Sequence, residues 1–108
     1  MNINESNSIG QFIKTLRIDK KETLHQVSKE TDIDMTMLSK IERGERLPTV
    51  EQVKKISNYF ELSENDIQAT LMAEKIIKEF GINNVTFNAV KLVEKKIITH
   101  LNEEQNEL

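Results

Sequence analysis

Along most of the chain, apolar residues recur at intervals of three and four, and nowhere do they settle into the alternation of a half-buried strand. Ile9, Phe12, Ile13 and Leu16 form the first set. Ser8 precedes them with Gln11 three residues on, the spacing of a reciprocal capping box, so a helix is predicted from Ser8 to about Lys20. Thr23 and Gln26 repeat that signal for a short helix carrying Leu24 and Val27 and ending near Thr31. Asp34 caps a third, with Ile33 and Leu38 spaced as a hydrophobic staple, and Gly44 stops it because glycine enters the left-handed conformation freely. Thr49 and Gln52 open a fourth helix whose inner face holds Val50, Val53, Ile56 and Phe60. Ser63 and Asp66 open a fifth, carried by Ile67, Leu71, Ile76, Ile77 and Phe80 to Gly81. Thr86 is expected to cap a sixth with a stripe of Phe87, Val90, Val93, Ile97 and Leu101. The polar ending NEEQNEL is expected to fray. The pattern is all-helical.

At 108 residues, the chain has room for one modest core and an extension. Three glycines, one proline and no tryptophan suit helices with few tight turns. No apolar run approaches the length of a membrane span, and the start MNINESNSIG lacks a basic-then-apolar leader, so neither a membrane partner nor secretion is expected. The absence of cysteine excludes disulfides, thiol catalysis and thiolate metal sites, and fits a reducing cytosol. The formal charge of -3 is unevenly spread. Residues 9–60 hold ten Lys/Arg against eight Asp/Glu, while residues 61–108 hold five against nine. A basic face on the front half is therefore compatible with the acidic total.

The densest chemistry lies between Thr23 and Arg43, where two short helices flank a tight turn. Such a pair presents its second helix outward when the first packs across it. Ser28 is small enough for close helix approach, and Leu38 and Ile41 fall on the inner face. Met35, Thr36, Ser39, Lys40 and Arg43 are left outward. At about 1.5 Å per residue the second helix is roughly 13 Å long, enough to lie in a major groove and reach a few base pairs.

The segment LSKIERGERLPT, with TLHQV before it and the helix after it, resembles the helix-turn-helix domain of the Xre and phage-repressor class of bacterial regulators. The likeness covers roughly residues 9–67. It implies a five-helix, all-α repressor-like domain, here preceded by a flexible stretch over 1–8. A C-terminal helical extension over 68–101 would serve dimerisation, with a frayed tail over 102–108. It also implies a homodimeric, non-enzymatic repressor or activator, acting in the bacterial cytoplasm at the nucleoid on pseudo-palindromic double-stranded DNA. The extension is similar to small regulators encoded beside restriction-modification genes. By residue, the resemblance puts base contacts on Met35, Thr36 and Lys40. It puts phosphate contacts on Thr23, Ser39, Arg43 and Arg46, and a structural ion pair on Arg17 and Glu42. Two positions depart from the family pattern: Asp32 stands where the turn usually has glycine, and Met37 where a polar reader is common.

Plainer roles remain open beside these. Met35 and Met37 suit a staple or partial core as well as base contact, and the cations suit a solvated helix end answering the dipole. His25 and His100 stand alone on separate helices, so no metal or cofactor is expected. Glu61, Glu64 and Asp66 fit helix-start chemistry better than catalysis, and no phosphate loop or nucleophile elbow is present. The stripes over residues 67–101 either close over their own chain or pair with a second copy. A protein-interaction module, an antitoxin or adaptor whose helix-turn-helix does not read DNA, is the alternative function. No pocket for a small effector is legible.

Overall fold

A computed structural model describes residues 8–106, all helices and connections with no strand among them. The helices are α1 (Ile9–Asp19), α2 (Leu24–Thr31), α3 (Met35–Glu42), α4 (Val50–Tyr59), α5 (Glu64–Phe80) and α6 (Asn84–Asn106). The chain is all-α. The stretch expected to be flexible, apart from Ser8, lies outside the described residues, as do residues 107 and 108.

Helix starts follow local polar chemistry. Ser8, Thr23 and Thr49 each close a full capping box with the glutamine three residues on, as in Gln26 N to Thr23 Oγ1 at 3.1 Å and Thr23 N to Gln26 Oε1 at 2.7 Å. Asp34 accepts from Met37 N at 3.2 Å, and Ser63 Oγ from Asp66 N at 3.4 Å. Helix ends are closed differently. At α1, Lys21 N donates to Ile18 O and Glu22 N to Arg17 O; at α3, Gly44 N donates to Ile41 O and Glu45 N to Lys40 O. The end of α4 repeats this pairing with Glu61 and Leu62. All three are Schellman ends, and each needs one left-handed residue. Gly44 takes it without strain at φ 77°, whereas Lys21 (φ 57°) and Glu61 (φ 55°) adopt it at a penalty of about 1 kcal/mol each.

The structure divides into two compact units, one ending at Lys75 and the other beginning at Ile76. In the first, α1 packs on α3, and α2 packs on α3 and α4. Ile9, Phe12, Ile13 and Leu16 meet Val27, Ile33, Leu38, Ile41, Val53, Ile56, Phe60, Ile67 and Leu71 in one core. Each such burial is worth about 1.5–3 kcal/mol before entropy is charged against it. The α1–α3 contact is backbone-close: a side chain at Gly10 would run into the Ile41 carbonyl oxygen. Glu74 of α5 accepts from Ile9 N at 2.6 Å, holding the first turn of α1. Tyr59 at the end of α4 donates its hydroxyl to Glu22 Oε2 at 2.7 Å, tying α4 to the α1–α2 connection.

In the second unit, α6 begins earlier than its sequence suggests. Asn83, not Thr86, is its cap: Asn83 Oδ1 accepts from Thr86 N at 2.9 Å. The same amide donates from Nδ2 to Phe80 O at 2.9 Å, and Thr86 Oγ1 also reaches Phe80 O. Asn83 stands in front of the first turn, where its oxygen can accept from a helix N–H that has no partner of its own, whereas Thr86 lies inside that turn. The helix runs to Asn106, into the polar ending.

Two outcomes follow from these contacts. Gly10→Ala should lower stability by about 1–3 kcal/mol in urea unfolding, because the overlap with Ile41 outweighs the roughly 1 kcal/mol helix-propensity gain. Tyr59 is the only tyrosine, and its hydrogen bond to Glu22, with desolvation, pushes its pKa up to about 12. Because the folded value is raised above the unfolded one near 10, this contribution to stability is complete below pH ~10 and lost as pH rises toward 12. An absorbance titration should show tyrosinate forming near pH 12 in the folded protein, and earlier in Glu22→Gln.

Candidate nucleic-acid interface

The connection from α2 to α3 fixes which side of α3 faces out. Asp32 sits in the left-handed region at φ 56°, ψ 35°, the conformation glycine usually supplies, and aspartate is among the residues that tolerate it. Ser28 Oγ donates to Ile33 O at 2.6 Å across the turn, so this side chain binds the turn as well as leaving room for it. Thr31 Oγ1 donates back to Val27 O at 2.6 Å. Ile33 and Leu38 are both buried, closing the staple over the first turn of α3.

On the inner side of α3, Leu38 and Ile41 have no exposed surface, and Glu42 is buried beside them. Arg17 of α1 meets Glu42 with both ends of its fork: Nε to Oε2 at 2.8 Å and Nη2 to Oε1 at 2.9 Å. The side chains are 14% and 5% exposed, and Arg17 Nη1 also donates to Glu22 O at 2.9 Å. Hydrogen bonding to Glu42 raises the Arg17 pKa above its ordinary value, against the opposing effect of burial. Two parallel charge-assisted bonds fix orientation as well as distance. They lock the last turn of α3 to α1.

The outer side carries Met35, 46% exposed, and exposed Thr36, with Ser39 and Lys40 half-buried and Arg43 exposed at the end. Met37 is half-buried and packs against the core. Lys40 makes no salt bridge among the described residues. Arg46 stands exposed in the connection to α4, its N–H 3.4 Å from Lys40 O. Arg43 donates to the Ser39 hydroxyl and forms a two-bond pair with Glu45. Thr23, at the start of α2, has both its N–H and its hydroxyl engaged in its own capping box. Ser39 and Lys40 thus lie on α3, Arg43 is its C-cap, Arg46 follows it, and Thr23 belongs to the neighbouring helix start. Lys14 has no sequence signal of its own, yet it lines a shallow hollow of about 560 Å³ with Ser8, Gln11, Thr15, Glu42 and Arg43. A cation on the second turn of α1 gives no periodic or motif cue.

A family model described as helix-turn-helix matches residues 13–67, just over half of the chain. The chain belongs to the helix-turn-helix family of the Xre and phage-repressor type, a family of DNA-binding regulators typically without enzymatic activity. Searches of curated proteins and of solved structures returned no match. Among the described residues, no helix is long and apolar enough to cross a membrane, and no group of three or more His, Asp or Glu is placed to hold a metal ion.

The α1–α3 lock has a measurable signature. Arg17→Met should destabilise the protein by about 3 kcal/mol or more, since it leaves the Glu42 carboxylate buried and unpaired. Adding Glu42→Leu in the same chain should recover most of that loss, because an apolar pair of similar volume needs no compensating charge. Urea midpoints of the single and double variants give both numbers.

Proposed function

We propose that the protein is a sequence-specific regulator of transcription, a repressor or restriction-modification-type controller, that binds a pseudo-palindromic duplex as a homodimer. The observation that carries this reading is the division of α3. Its inner side is fixed by the core and by Arg17, and its outer side offers Met35, Thr36 and Lys40 from a rigid support. Lys40 has the donors for guanine O6 or N7, Thr36 a hydroxyl for a base or phosphate, and the Met35 side chain or Thr36 methyl a surface for a thymine methyl. Ser39, Arg43, Arg46 and the α2 start at Thr23 are assigned to phosphates, which position the domain without reading sequence.

Within the span 67–101, Ile67 and Leu71 are buried in the chain's own core, so the dimer is assigned to α6. Phe87, Val90, Val93, Ile97 and Leu101 recur every three or four residues along α6, yet each is 46–62% exposed, and among the described side chains of α6 none is buried. At about 1.5 Å per residue α6 is roughly 34 Å long, and an uncovered apolar row of that length is an interaction surface. Two copies joined there would set two α3 helices on half-sites about one turn, or roughly 34 Å, apart.

Selection from random duplexes at two salt concentrations tests the reading. An enriched inverted repeat with affinity falling steeply in salt is expected; no enriched sequence, or binding indifferent to salt, overturns it. On the selected site, Lys40→Ala should weaken binding by about 1–3 kcal/mol and relax the preference at one position per half-site. Ile97→Asp should shift sedimentation to the monomer.

A further inference from the structure

Arg43 is held by a neighbour two positions along the chain. Its Nε lies 3.0 Å from Glu45 Oε1 and its Nη2 3.0 Å from Glu45 Oε2, while Nη1 is bonded to the Ser39 hydroxyl. Residues two apart on a helix point to different sides. These two meet because Gly44, at φ 77°, turns the chain back at the end of α3, and the bond from Glu45 N to Lys40 O fixes the returning strand against the last turn. A carboxylate presenting both oxygens to the Nε–Nη2 edge of a guanidinium has the geometry of a phosphate in the same place.

We propose that Glu45 is an internal phosphate mimic, which occupies the guanidinium fork of Arg43 in the free protein and sets the strength of DNA binding by competing with the backbone for that fork. The inference rests on the reading of α3 as a DNA-binding helix. Hydrogen bonding from Arg43, with the charges of Arg43 and Lys40, holds the Glu45 carboxyl below its ordinary pKa, so the competitor is ionised at neutral pH. Both side chains are half exposed, at 53% and 54%, so a phosphate can approach the pair without any movement of the core. An exposed ion pair is weak enough to be exchanged. The device lowers affinity for every duplex alike, and leaves the choice among sequences to the side chains that read bases.

The test is a salt titration of binding to a mixed-sequence duplex by the wild type, Glu45→Gln, Arg43→Gln and the double variant. Both positions are exposed, and matching thermal melts confirm that all four fold. Glu45→Gln should bind roughly 2- to 5-fold tighter per protomer, the range over which an exposed pair competes. The slope of log affinity against log salt should steepen by up to about 0.9 per protomer, the limit for one whole additional phosphate neutralised by the freed guanidinium. In the Arg43→Gln background the same exchange should bring little of that tightening. An equal effect in both backgrounds means that Glu45 acts through charge alone, and overturns the proposal; so does no effect in either while the wild type binds. If none of the four binds any duplex at low salt, the DNA reading itself fails and takes the proposal with it. That pattern is distinct from the other two.

Discussion

The position of α3 depends on a carboxylate that is taken out of water and answered by one arginine. Glu42 is the one charged residue buried among those described, and such a group is tolerable only if it is paired and hydrogen-bonded. Arg17 supplies both bonds and, through its third nitrogen, reaches the backbone of Glu22, just before the cap of α2. One side chain thus ties together α1, the end of α3 and the chain leading into α2. The close backbone approach at Gly10 serves the same contact. Apolar packing alone would let α3 roll and slide between neighbouring rotamer sets. A two-bond fork removes that freedom, and with it the uncertainty in where the outer side chains stand.

The parts of the fold that are legible in the sequence are those whose chemistry is local. Ser8, Thr23 and Thr49 each announce a helix with a glutamine three residues later, and each forms that box. Gly44 announces a stop for the same reason. Lys21 and Glu61 do not, since nothing in either side chain favours the left-handed region; their ends are set by Glu22 and Leu62 bonding back to the preceding helix, and by the new helix starts just beyond. Gly10 is equally silent. Its reason is a carbonyl on a helix some thirty positions on, which no local pattern contains. The sequence pattern places the cap of α6 three residues late because Asn83 and Thr86 both carry cap-type side chains, and the residue that accepts from the N–H three positions on is Asn83.

For the candidate site, the resemblance supplies positions and the structure supplies their surroundings. The spacing of Leu38 and Ile41 already implies which face of α3 turns outward. It does not show that Met37 leans on the core, that the hydroxyl of Ser39 is shared with Arg43, or that Thr23 is committed to its own helix start. Charge sums along the chain are silent for a related reason. They treat Arg43 and Glu45 as separate contributions to a total, whereas the turn at Gly44 makes them one neutral object.

The connection between α5 and α6 carries a consequence for how this chain can vary. Surface loops ordinarily accept added residues, because their ends are free to shift. Here the amide of Asn83 is polarised in use: its oxygen serves one helix and its nitrogen the other. Aspartate could do only the first job. An inserted residue would move one helix end out of reach of the amide whichever end it kept. The link therefore behaves as a measured spacer, tolerant at neither composition nor length, although it is exposed and carries no part of the core.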